Sequence, residues 1–143
     1  MNIKFDPQGT KAPKPEERQP VWMAYNGDTI TFESRCYIKG SVPVDYENSN
    51  LYFILSDKRF SVTPLWIGEW RDGIELVDVA DHPGLICVKI PDSISTTLRR
   101  GSYIFSLLVE DRDLKIKETK MEGMLQIEYA PTSAIHDIPY RDQ

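Results

Sequence analysis

Leu98-Arg99-Arg100-Gly101-Ser102-Tyr103 carries the Leu-x-x-Gly-x-Tyr spacing of a tyrosine corner. In that motif the Tyr ring packs in the core of a sandwich. Its hydroxyl donates to a backbone carbonyl a few residues upstream and so locks the crossover of a Greek key. The competing reading is a plain strand aromatic at Tyr103. The two differ in what Tyr103→Phe should do: a corner predicts a loss of about 1–2 kcal/mol, the usual cost of stranding a buried hydrogen-bond partner. Leu98, Gly101 and Tyr103 are therefore expected to be structural.

Outward from this motif the sequence keeps a period of two. Ser102 to Glu110 sets Tyr103, Phe105, Leu107 and Val109 on one face. In Thr29 to Ile38, Ile30, Phe32, Cys36 and Ile38 share one side while Thr31, Glu33, Arg35 and Tyr37 share the other, as a half-buried strand requires. Leu51 to Leu55 and Leu85 to Ile90 are apolar runs bounded by Asn, Asp, Pro and Gly, the pattern of more deeply covered strands. Residues 114 to 120 and 124 to 129 read as a hairpin turning around Met121-Glu122-Gly123. Trp66 to Trp70 and Ile74 to Val79 are two weaker strands, and Ser93 to Arg100 has room for one helical turn at most. Seven or eight strands about ten residues apart predict an all-β fold, a single Greek-key, Ig-like β-sandwich.

The ends read differently. Residues 1–20 hold Pro7, Pro13, Pro15 and Pro20 among polar residues, with Ile3 and Phe5 as the sizeable apolar side chains. Residues 130–143 repeat this style, with Ile135, Ile138 and Tyr140 as isolated anchors. The expected organisation is an extended arm over 1–20, a sandwich over 21–129 and a second arm over 130–143. Segments of this kind can bind a partner by accumulating many weak backbone and side-chain contacts.

A chain of 143 residues with 41% hydrophobic and 27% charged residues has the composition of one globular core. The formal net charge of −5, without a Lys/Arg cluster, argues against nucleic acid as a partner. No apolar stretch is long enough to cross a bilayer as a helix, and the first residues lack the apolar core of a signal peptide, so synthesis in cytoplasm is expected. Cys36 and Cys87 then read as reduced residues filling core volume, with an inter-sheet bridge as the alternative.

Chemistry is hard to find. His82, in Ala80-Asp81-His82-Pro83-Gly84, and His136, in the C-terminal arm, read as solvated loop residues. Glu69, Asp72 and Glu75, and likewise Glu110, Asp111 and Asp113, are close in sequence but coincide with turns. There is no Gly-rich phosphate loop, zinc spacing or Gly-x-Ser-x-Gly elbow. The expectation is no catalytic residue, no cofactor and no metal. Trp66 and Trp70 flank Ile67-Gly68-Glu69 on one side of a strand, with Gly68 leaving a flat patch between two indoles. They would cap the core, anchor a protein interface, or form a platform for a glycan.

The ordered set Gly27-Asp28-Thr29-Ile30-Thr31-Phe32, Gly40 to Val44-Asp45, Leu51 to Leu55, Ile86 to Ile90, Thr97 to Phe105 and Glu122 to Ile127 resembles a known family. It is similar to the small β-sandwich domains of tailed-bacteriophage virion proteins, notably the N-terminal domain of baseplate upper proteins. The resemblance implies a docking module of the virion with no catalytic residues. Its partners would be other virion proteins, major capsid or tail subunits, and copies of itself. The family's receptor-binding or trimerising segment has no counterpart after the sandwich, so host recognition is not expected. Capsid decoration or cement ranks ahead of a tail or baseplate accessory role, with partner-binding candidates Ile3, Phe5, Trp66, Trp70, Ile135, Ile138 and Tyr140. A carbohydrate-binding module using Trp66 and Trp70 is the alternative.

Overall fold

The computed structural model describes residues 21–57 and 63–132. Within them the chain forms β1 (Val21–Tyr25), β2 (Ile30–Arg35), β3 (Tyr37–Lys39), β4 (Val42–Pro43), β5 (Ser49–Ser56) and β6 (Trp66–Trp70). It continues through β7 (Gly73–Leu76), β8 (Leu85–Ile90), the short helix α1 (Asp92–Ser95), β9 (Gly101–Asp111) and β10 (Ile116–Glu128). Hydrogen bonds join eight strands in the order β1-β10-β9-β5-β6-β7-β8-β2, while β3 and β4 make a small ladder of their own.

The long ribbon closes on itself. Trp22 in β1 and Phe32 in β2 stand at opposite ends of the strand order, yet their ring centroids are 3.7 Å apart. Phe32 lies 5.2 Å from Phe53 of β5, and Trp22 stacks on Phe105 of β9 at 4.4 Å. Two layers, β1-β10-β9-β5-β6 and β7-β8-β2, therefore face each other across one core. Leu51, Phe53, Leu55, Phe105, Leu107 and Leu125 enter it from the first layer and Ile74, Ile86, Val88 and Ile90 from the second. This is the Ig-like β-sandwich that the alternating pattern predicts.

The layers are joined at a corner between β6 and β7. Arg71, with φ of 65°, and Asp72 connect the strands, which then touch in parallel through Glu69 with Gly73 and Trp70 with Ile74. A strand that bends and changes sheets in this way makes the corner of a sandwich. Gly73 is held at φ of 105°, and a Cβ there would meet the Trp66 indole at 2.8 Å. A Cβ on Gly68 would meet the same ring at 2.7 Å, so the two glycines make the space that Trp66 fills.

The chain crosses between layers again from β8 to β9, and here the tyrosine corner is formed. The Tyr103 hydroxyl donates to the Arg99 carbonyl at 2.7 Å while the ring packs against the core. A residue that the pattern did not single out secures the crossover from the other side. Buried Asn26, just after β1, directs its Nδ2 at the carbonyls of Ser95, Thr96 and Leu98, at 3.2, 3.0 and 2.8 Å. The Ser95 hydroxyl accepts the Gly27 N–H at 2.9 Å and donates to the Tyr25 carbonyl at 3.3 Å. These bonds satisfy the Thr96 and Leu98 carbonyls, add a second donor at Ser95, whose carbonyl also accepts the Leu98 N–H, and tie β1 to the crossover.

Two readings of the strands need correction. The reversal expected at Met121-Glu122-Gly123 does not occur: β10 runs through it unbroken, with a bulge between Thr119 and Met121. The turn lies at 112–115, where Asp111 Oδ1 accepts the N–H groups of Asp113 and Leu114 at 2.9 and 3.0 Å and Lys115 adopts φ of 54°. An aspartate bonding its own downstream backbone makes a turn without glycine, whereas Gly123 sits buried in the ladder opposite Phe105. The run Thr29 to Ile38 is divided into β2 and β3. Cys36 between them gives its N–H to the Gly84 carbonyl and takes the Val44 N–H on its own carbonyl, at 2.8 and 3.1 Å. The inward alternation of Ile30, Phe32, Cys36 and Ile38 persists across the break.

Candidate functional site

The first layer sends Trp22, Phe53, Phe105 and Leu125 into the core, so by the period of two their neighbours point outward. Those neighbours are apolar as well. Val21 of β1 pairs with Met124 of β10, which pairs with Ile104 of β9. One diagonal step away, Ile54 of β5 pairs with Ile67 of β6. Directly paired side chains on one face are about 5 Å apart and diagonal ones about 7–8 Å. Met23 extends the series along β1. The result is an apolar band that steps diagonally across five strands, with Val21, Met23 and Ile67 exposed at 65%, 62% and 43% and Ile54, Ile104 and Met124 half-buried, and with Ser56, Ser106 and Glu122 of the same face standing beside its members.

The band has polar ends. Glu110 and Lys117 pair at one end at 3.3 Å, and Arg100 and Glu128 at the other at 2.8 Å. The Asn50 amide also donates to Glu110 at 2.7 Å. That bond, followed by Lys117, holds the Glu110 carboxyl below its ordinary range.

The sequence hinted at this face. Leu51 to Leu55 is apolar at both parities, which reads as a strand covered on both sides, yet nothing among the described residues covers the outer one. What the pattern could not supply was β1, whose short run lies beside the proline-rich arm and whose place next to β10 depends on a parallel pairing remote in sequence.

Trp66 and Trp70 do share one side of β6, but that side faces inward and the flat patch over Gly68 is absent. The Trp66 indole itself lies over Gly68. Trp70 donates Nε1–H to the Ser49 carbonyl at 2.8 Å and meets the Tyr46 ring edge-on at 4.3 Å. Both indoles are half-buried against the core. This corrects the platform geometry: a glycine leaves room, and the nearest large ring takes it.

Trp66 also borders a cleft of about 230 Å³ with Asp72, Glu75, Cys87 and Lys89. Burial, then Glu33 and Glu75, pushes the Cys87 thiol up, which disfavours the thiolate a nucleophile needs. Burial pushes Cys36 up to about 11. Both cysteines are free.

Of the remaining titratable candidates, some engage their side chains and others only their backbone. Asp111 organises its turn. Glu69 and Asp72 exchange backbone bonds at the β6–β7 corner, at 2.9 and 3.0 Å. His82 touches Arg35 at 3.2 Å and lies 3.9 Å from Asp78, exposed to solvent. Among the described residues, no group of three or more His, Cys, Asp or Glu could hold a metal. Ile3, Phe5, Ile135, Ile138, Tyr140 and His136 lie outside the described residues.

No family model matches the sequence, and no curated protein matches it. Among solved structures, the chain is similar to that of the NK cell receptor Nkp44, a triggering partner in natural cytotoxicity. The likeness covers 78% of this chain and 100% of that one, at 15% identity and a TM-score of 0.47.

Proposed function

We propose that this chain is a non-catalytic docking protein, a structural component of a tailed-bacteriophage particle, with capsid decoration ahead of a tail or baseplate accessory role. The observation that carries the docking half is the apolar band of Val21, Met23, Met124, Ile104, Ile54 and Ile67 on the outer layer. Contiguous apolar surface rimmed by polar groups is the mark of a protein interface, because leaving it in water costs about 25 cal/mol per Å². The virion half rests on the resemblance of the ordered strand set to virion sandwich domains. Of the groups that a hydrolase would draw on, Glu110 pairs with Lys117, Asp111 holds its turn and His82 bonds Arg35, which also favours docking. Anchors in the two terminal arms would add contacts to those of the band.

Competition in infected cells tests this reading. Wild-type and Met23→Glu chains, distinguishable by mass, are expressed together and the purified particles are analysed by mass spectrometry. The wild type is expected in the particles and the variant depleted from them. A chain absent from particles, or both forms present at their expression ratio, overturns the proposal.

A further inference from the structure

The docking reading leaves open what covers the band. We infer that its first partner is a second copy of this chain, related by a two-fold axis lying in the plane of the β1-β10-β9-β5-β6 layer. This rests on the docking reading and gives it an occupant.

Charge is the main argument. A chain of net charge −5 should repel itself, and a self-association surface must avoid that. The ends of this face carry balanced pairs: Glu110 with Lys117, and Glu128 with Arg100, the two cations remaining 69% and 68% exposed. A two-fold running across the strands sets the Glu110–Lys117 end of one copy over the Arg100–Glu128 end of the other. A two-fold along the strands sets each end over its own copy. The first of these axes gives every carboxylate of these pairs a cation opposite it, Glu110 over Arg100 in line with β9 and Glu128 over Lys117 on β10, as an isologous contact requires, and is the axis assigned here. The second, run through the central β9, sets Glu110 over Glu110. Between the ends, Val21, Met23, Met124, Ile104, Ile54 and Ile67 present apolar surface to the same surface.

Size sets the strength. Five strands about 4.8 Å apart, with side-chain overhang, span about 24 Å, and six residues along a strand span about 20 Å. Each copy thus covers about 500 Å² and the pair about 1,000 Å², at the lower limit of specific interfaces. The dimer is therefore weak, with a dissociation constant in the micromolar range, populated at the high local concentration of an assembling particle and dispersed in dilute solution.

Sedimentation equilibrium of the full 143-residue chain tests the inference, over about 1–500 µM, the span in which such an interface fills. The weight-average mass should climb from one chain towards two. Met23→Glu, at a site 62% exposed and so safe for folding, should hold the mass at one chain across the series. Ile104→Glu should do the same, and Thr31→Glu, on the outer side of the opposite layer, should dimerise like the wild type. A wild type that stays monomeric throughout overturns the inference; so does a Met23→Glu dimer of unchanged strength. A monomer still built into particles would remove the dimer and leave the docking reading intact. A dimer absent from particles would do the reverse.

Discussion

Removing one oxygen atom, as in Tyr103→Phe, separates the tyrosine corner from mere aromatic packing. The ring stays against the core, so the loss is confined to the hydroxyl and its 2.7 Å bond to the Arg99 carbonyl. A net hydrogen bond contributes about 0.5–1.5 kcal/mol, and a partner stranded away from water raises the loss towards 3 kcal/mol. Arg99 is exposed, so water can reach its carbonyl once the hydroxyl is gone. The expected loss is therefore about 1 kcal/mol, the lower end of the range that the motif alone suggests. For a domain of this size that corresponds to a melting midpoint lowered by about 3–5 °C. Urea unfolding followed by tryptophan fluorescence should show the midpoint falling with the denaturant slope unchanged, since a change of slope would mean altered compactness and not a lost bond. An unchanged midpoint would refute the corner as a stabilising element. A loss above about 3 kcal/mol would refute the exposure argument, because it would require the carbonyl to be sealed from water.

Asn26→Ala should cost more, about 2–3 kcal/mol, because the carbonyls of Ser95, Thr96 and Leu98 lose one donor group together and two of those bonds are buried; the same urea experiment measures it, and a loss smaller than that of Tyr103→Phe would contradict the clamp. Gly73→Ala forces a Cβ to 2.8 Å from the Trp66 indole at a φ of 105°, so about 2–3 kcal/mol should be lost and the tryptophan emission should shift as the ring moves; unchanged emission and midpoint would count against the corner packing. In thiol titration with an aromatic disulfide reagent, Cys87 should react in the folded chain and Cys36 after unfolding, and equal native rates would contradict the burial of Cys36. Because the folded chain raises the Cys36 thiol from 9.0 to about 11, its contribution to stability is complete below pH 9 and drains as the pH climbs to about 11, where the unfolded chain has already ionised. Cys36→Ala should flatten that part of the pH–stability curve, and an identical slope would refute the assignment.

Much of the fold could be read in the sequence because its signals are local. The alternation of Tyr103, Phe105, Leu107 and Val109 fixes the inner side of β9, and the corner motif ends at the residue that makes the bond. Leu85 to Ile90 and Trp66 to Trp70 are strands over those same spans. Where reading failed, the deciding contact came from far along the chain or from a side chain with two uses. Gly123 suggested a turn but supplies room beside Phe105, while the turn belongs to Asp111, read as one acid among several. Asn26, which no local pattern singles out, is a buried donor to carbonyls about 70 positions away. The outer band was only half legible, since the double-sided apolar character of β5 was visible but the alignment of Val21, Met124 and Ile104 exists only after three strands are brought side by side.

The most direct measurement of the docking account is an image, at side-chain resolution, of the virion that carries this chain. The account predicts the sandwich on the particle with its β1-β10-β9-β5-β6 face covered by protein, Met23 and Ile104 beneath the cover. A particle without the chain, or one that displays it with that face bare to solvent, would contradict it.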